Sequence, residues 1–91
     1  MKGQFFAVYI KCEDDDSYNS IKDKMNKALD WYRVSSNFWI VYTSSDVGRL
    51  YGRYKALIGS KGRLFVVKLD LNDRQGWMSK GFWAWIKKER E

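Results

Sequence analysis

The chain has 91 residues, 45% of them hydrophobic and 18% aromatic, which is enough for one small folded domain and argues against a disordered segment. No apolar run approaches the roughly 20 residues that span a bilayer, and no signal sequence is recognisable before residue 10. The single cysteine, Cys12, cannot form an internal disulfide. We therefore expect one cytoplasmic domain over residues 1–91, with no membrane association.

The formal net charge is +6, and the second half of the chain carries all of the excess. Residues 1–46 contain six Lys/Arg and seven Asp/Glu, whereas residues 47–91 contain eleven and four. Such asymmetry predicts an acidic partner, either nucleic acid or an acidic protein surface.

Two segments have the composition of strands that are buried on both faces. Residues 38–43 are all aromatic or β-branched, and residues 4–10 are nearly as apolar. Between them, a helix is expected to begin at Ser17 or Ser20 and to bury residues 21, 25, 28 and 29. Residues 31–34 should form a strand that pairs with residues 38–43 as a hairpin.

The residue pattern in the second half of the sequence predicts a helix, a strand and a final helix. Ser45 is the expected N-cap of the first helix, whose apolar residues 47, 50, 51, 54, 57 and 58 share one face, and Gly59 and Gly62 end it. Residues 63–69 form a strand pattern, residues 70–76 a loop, and Ser79 should cap a short helix that runs to residue 88.

The resulting order, β-α-β-β-α-β with a C-terminal helix, predicts a ferredoxin-like α+β fold. The two doubly apolar strands should lie at the centre of the sheet, with helices on one face. The other face is so aromatic that a homodimer burying it is the simplest expectation.

Catalytic and metal-binding residue types are scarce. The chain has no histidine, which removes the commonest general base, and Cys12 therefore lacks a histidine partner. The acidic run Glu13, Asp14, Asp15 and Asp16 is either a hard-cation site or a solvated turn, and we favour the turn because adjacent residues of one loop rarely all point inward. We expect a non-enzymatic protein without a cofactor or metal.

Basic residues with aromatic neighbours are the candidates for binding an acidic partner. Arg49 and Arg53 lie one helical turn apart, and further candidates are Lys55, Lys61, Arg63, Trp83, Lys87 and Lys88. The alternative is an ordinary solvated helix face. Trp77 and Trp85 are interpreted as packing residues. Residues 61–67 superficially resemble the basic-aromatic strand of the RNA-recognition motif, which we interpret as coincidence because Arg63 and Lys68 stand where stacking aromatics are expected.

Three segments resemble the SinR-like small proteins, relatives of virulence-associated protein D and of the small subunit of CRISPR adaptation. They are Phe38-Trp39-Ile40-Val41, Ser60 to Val66, and the tryptophan-rich ending from Gly76 to Ile86, together with Tyr9 and Tyr18. The resemblance implies a dimerising ferredoxin-like fold that handles nucleic acid. Nuclease members of that superfamily carry a metal-binding aspartate directly after the first-strand tyrosine, where this chain has Ile10.

The sequence thus predicts a small non-enzymatic protein that binds nucleic acid through a basic face of its second half. The alternative is a protein-binding inhibitor or regulator of phage or mobile-element type, for example an anti-defence protein. A metal-dependent ribonuclease is the third hypothesis, and Ile10 argues against it.

Overall fold

The computed structural model describes residues 3–13 and 18–90. Its elements, in chain order, are β1 Gln4–Lys11, α1 Tyr18–Met25, β2 Asp30–Ser35, β3 Phe38–Thr43, α2 Val47–Lys55, β4 Arg63–Leu69 and α3 Lys80–Lys87. The four strands form one antiparallel sheet in the order β2-β3-β1-β4. The prediction that the two doubly apolar strands lie at the centre is confirmed.

One face of the sheet, here called the helical face, packs against α1 and α2. Strands β1 and β3 contribute Phe6, Val8, Ile10, Trp39 and Val41 to this core. The helices contribute part of their predicted apolar stripes, namely Ile21, Met25, Leu50, Tyr54 and, just beyond α2, Ile58. Val47 and Tyr51, predicted to share the inward face of α2, are exposed. Because neighbouring residues of a strand point to opposite faces, the remaining strand residues form a second face.

The second face is covered in part by α3, which corrects the expectation that it needs a partner along its whole width. Phe82 and Ile86 of α3 are buried against Ile40 of β3. Half-buried aromatic rings surround this contact, including those of Phe5, Tyr32, Phe38 and Trp85. The sheet is thus sandwiched between two helices on one side and one short helix on the other.

Several predicted helix boundaries are wrong, although every predicted element is present. Helix α1 ends at Met25, so Leu29 is exposed, and Ser20 lies inside the helix instead of capping it. Ser17 lies outside the described residues. Asp46, not Ser45, caps α2, because its carboxylate accepts the backbone N–H of Arg49 at 2.8 Å. Ser79 caps α3 as predicted.

Within the described residues, no helix combines the length and apolarity needed to cross a membrane.

Candidate nucleic-acid interface

One end of the second face is left open along β1 and β4, since Phe5 and Leu69 at the other end pack against the cluster that α3 forms. Tyr9 of β1 and Phe65 of β4 are direct neighbours in the register, and Lys11 pairs with Arg63 one row further along the same face. Tyr9 is 37% exposed, Phe65 63% and Val67 38%. We call these five residues, Tyr9, Lys11, Arg63, Phe65 and Val67, the open patch.

The position of α3 explains why the patch is open. Its contacts with the strands fall mainly on β2 and β3, the half of the sheet away from β4. The C-terminal residues reinforce this placement, because the Arg90 guanidinium lies 4.4 Å from the centre of the Trp85 ring and binds Asp30 at the edge of β2. Strand β4 is an edge strand whose outer aromatic side chain has no cover from the described chain.

The charges beside the aromatic pair are positive. Lys11 and Arg63 are both exposed, and Lys61 lies in the turn that leads into β4. The carboxylate of Glu13, close to this turn, accepts the backbone N–H of Lys61 at 3.2 Å. Among the described residues, salt bridges form only at Asp30, on the far edge of the sheet. Arg63 and Lys11 thus form no salt bridge with any carboxylate that the structure describes.

The basic residues of α2 lie on the other side of the sheet. Arg49 is exposed, but Arg53 is half-buried and its Nη2 lies 3.5 Å from the Ser45 hydroxyl. Burial raises the pKa of the neighbouring Tyr54 hydroxyl. The positive charge of Arg53 acts to lower that pKa and offsets only part of the rise. Lys55 is exposed on a different side of the helix. The eight sequence-predicted residues thus do not form one surface.

The residues of α3 form a third group. Lys88 is bound to Asp30, with Nζ 3.4 Å from Oδ2, while Lys87 is exposed. Trp83 is half-buried and packs edge-on against Phe82, with ring centres 5.2 Å apart. Of the predicted site residues, only Arg63 belongs to the open patch, and only Lys61 lies beside it, in the turn that leads into β4.

Asp30 is the carboxylate that anchors the C-terminal residues. Partial burial acts to raise its pKa, but the adjacent Trp85 indole, the Trp31 backbone N–H at 2.9 Å and the Lys88 ammonium outweigh it. The pKa of Asp30 therefore lies below its ordinary value of 3.8, and the carboxylate is ionised at neutral pH.

Sequence reasoning placed the tryptophans with mixed success and missed the aromatic pair. The packing prediction is confirmed for Trp85 and wrong for Trp77, which is 98% exposed. Tyr9 and Phe65 were not predicted as binding residues. Alternation along residues 63–69 places Arg63, Phe65 and Val67 on one face, and that was the available signal.

The described residues contain no group of three or more Asp, Glu, Cys or His side chains positioned to hold a metal ion. Asp14, Asp15 and Asp16 lie outside the described residues. Comparison of the chain with family models, with curated proteins and with solved structures gave no match.

Proposed function

We propose that this protein binds single-stranded nucleic acid on the open patch. The observation that carries the proposal is the pairing of two exposed aromatic rings, Tyr9 and Phe65, next to a pair of exposed cations, Lys11 and Arg63. Bases stack on aromatic side chains with little dependence on sequence, and Lys or Arg beside them contact the phosphates.

A flat sheet face suits single strands better than duplexes. Stacking needs bases whose faces are accessible, which single strands and loops provide. The resemblance to SinR-like proteins points to the same ligand class and stays a prediction.

The fold in this proposal is ferredoxin-like. The element order and the strand order β2-β3-β1-β4, with all neighbours antiparallel, support that assignment.

The predicted homodimer would have to use the same open patch, because α3 occupies the rest of that face. In an isologous dimer the patch would meet its own copy, and the cations of both copies would lie near one another. An anionic strand neutralises Lys11 and Arg63 instead. The charge of the patch therefore favours nucleic acid over a second copy.

The test is fluorescence anisotropy with labelled single-stranded RNA, single-stranded DNA and duplex DNA of about 12 nucleotides. We expect single strands to bind more tightly than the duplex. Phe65→Ala should weaken single-strand binding about tenfold, since one stacked base contributes about 1–3 kcal/mol. Arg63→Glu should weaken it further and reduce its dependence on salt.

Arg49→Glu is the matched control, since it makes the same change of charge on the helical side of the sheet. If Arg49→Glu weakens binding as much as Arg63→Glu does, the ligand is held by overall charge or by α2, and the open-patch assignment is wrong. If no oligonucleotide binds but the chain elutes as a Phe65-dependent dimer, the patch is a homodimer interface. If the chain neither binds an oligonucleotide nor dimerises, the proposal is wrong and the protein-binding inhibitor becomes the favoured hypothesis.

A further inference from the structure

An apolar cavity lies beside the open patch, between the sheet, the loop of residues 70–79 and α3. It has a volume of about 260 Å³. The ring-bearing residues in its wall are Phe38, Phe82 and Trp83. Gly76 belongs to the same wall and lies directly against the indole, because a Cβ built there would be 3.9 Å from the Trp83 ring.

Phe38 in the cavity wall is the direct strand neighbour of Tyr9 in the open patch. In the register of the sheet, Tyr9 pairs with Phe65 on one side and with Phe38 on the other, so the three rings form one row across β4, β1 and β3. Neighbouring strands are about 4.8 Å apart, so the row extends about 10 Å and ends at the cavity.

The cavity has a polar group at its rim as well as an aromatic interior. Arg74 belongs to its wall and donates from Nη1 to the Leu71 carbonyl at 3.0 Å, which holds the guanidinium at the edge of the loop. The remaining N–H groups of such an arginine are donors for a base edge or a phosphate oxygen.

We propose that this cavity binds a single unstacked nucleobase of the strand whose neighbouring bases lie on the open patch. The proposal rests on the proposed function. A volume of about 260 Å³ is smaller than the roughly 300–1,000 Å³ typical of sites for drug-sized molecules, so it suits one planar ring system. Trp83, predicted from the sequence as a binding residue, stacks on that base, and Arg74 contacts its edge or its phosphate.

Filling the cavity tests the assignment without touching Tyr9 or Phe65. Gly76→Leu adds a bulky side chain that starts in contact with Trp83 at the cavity wall, while Gly52→Leu makes the same change on α2, where a Cβ meets no atom within 4 Å. We expect Gly76→Leu to weaken single-strand binding about tenfold and Gly52→Leu to leave it unchanged. Thermal unfolding of both variants checks that the fold is kept.

The base is located with oligonucleotides of about 12 nucleotides that carry one abasic position each. On the wild-type chain, removal of the base that occupies the cavity should weaken binding about tenfold. On Gly76→Leu the same oligonucleotide should bind no worse than the intact strand, because the subsite is already lost. Trp83→Leu keeps an apolar residue at the position but removes the indole. This variant should likewise bind the abasic oligonucleotide no worse than the intact strand.

Two failures are distinguishable. If the wild-type chain binds no oligonucleotide, the proposed function falls and the base subsite falls with it. If the wild-type chain binds in a Phe65-dependent way, but Gly76→Leu binds equally well and every abasic position behaves alike in both proteins, only the cavity assignment is overturned.

Discussion

At the scale of single residues, two glycines show how space decides the effect of the same substitution. A Cβ at Gly62 would clash with the Ile58 carbonyl oxygen and would lie 2.7 Å from that of Lys11. These are backbone atoms, so the turn between α2 and β4 would have to move. A Cβ at Gly52, inside α2, would have no atom within 4 Å.

We therefore expect opposite results from Gly62→Ala and Gly52→Ala. Gly62→Ala should lower the free energy of unfolding by about 1–3 kcal/mol, because overpacking forces the backbone apart. Gly52→Ala should raise it by about 1 kcal/mol through helix propensity. Urea unfolding measures both. Equal stability of the two variants would contradict the close packing of the turn.

A second expectation concerns Asp30, whose carboxylate lies 3.2 Å from Arg90 Nη2 and 3.4 Å from Lys88 Nζ. The Arg90 side chain is only 8% exposed, so it depends on this partner. We expect Asp30→Asn to lower the free energy of unfolding by about 1.5–3 kcal/mol at neutral pH, the usual contribution of a hydrogen bond to a charged group.

The sign of the pH dependence follows from the lowered pKa of Asp30. A carboxyl whose pKa is lower in the folded chain stabilises it above the unfolded value, here near 3.8, and loses that contribution as the pH falls through the folded value. The difference in unfolding free energy between wild type and Asp30→Asn should therefore shrink below about pH 4. Lys87→Ala, which removes an exposed neighbouring cation, is the control. A pH-independent difference would show that packing, not charge, holds the C-terminal residues.

At the scale of elements, α3 determines which part of the second face is available. It is a helix of eight residues that follows a ten-residue segment without helix or strand, residues 70–79. Isolated helices of this length are marginal in water, so α3 is held by its packing on Ile40 and by the Arg90 contacts. Its predicted inward residues, Phe82 and Ile86, are the buried ones.

A chain that ends at Met78 should therefore expose the rings that α3 covers. We expect it to bind a hydrophobic dye such as ANS and to self-associate, because large exposed apolar patches drive association. Light scattering after size-exclusion chromatography measures the mass. Should the shortened chain remain a dye-free monomer, α3 does not cover the second face in solution.

At the scale of the whole molecule, the net charge of +6 has an effect of its own. Most described cations form no salt bridge within the described chain, so the protein as a whole attracts polyanions. This attraction supports encounter with nucleic acid but does not select a site. In the proposed function the aromatic row selects the site, and stacking on it should contribute independently of salt.

Salt separates these two contributions. With about three phosphate contacts, from Lys11, Lys61 and Arg63, affinity for single strands should fall roughly tenfold to twentyfold between about 50 and 200 mM salt. Phe65→Ala should shift the whole curve without changing its slope, whereas Arg63→Glu should flatten it. A change of slope in Phe65→Ala would mean that the ring positions the cations instead of stacking on a base.

The amino-acid pattern alone was enough to predict every helix and strand and the two central strands. Composition and alternation carry that information, since a strand apolar on both faces, such as residues 38–43, has only one place in a sheet. Helix ends were predicted less well, because Ser45 and Asp46 are both good caps and backbone geometry chooses between them.

Which surface is free was decided by the tertiary structure. Trp77 and Trp85 look equally suited to packing in the sequence, yet Trp77 is exposed while Trp85 packs against Arg90. The candidate cations were separated onto three surfaces for the same reason. Local patterns determine which side of an element is apolar, whereas the side that remains uncovered depends on where a distant segment, here α3, comes to rest on the sheet.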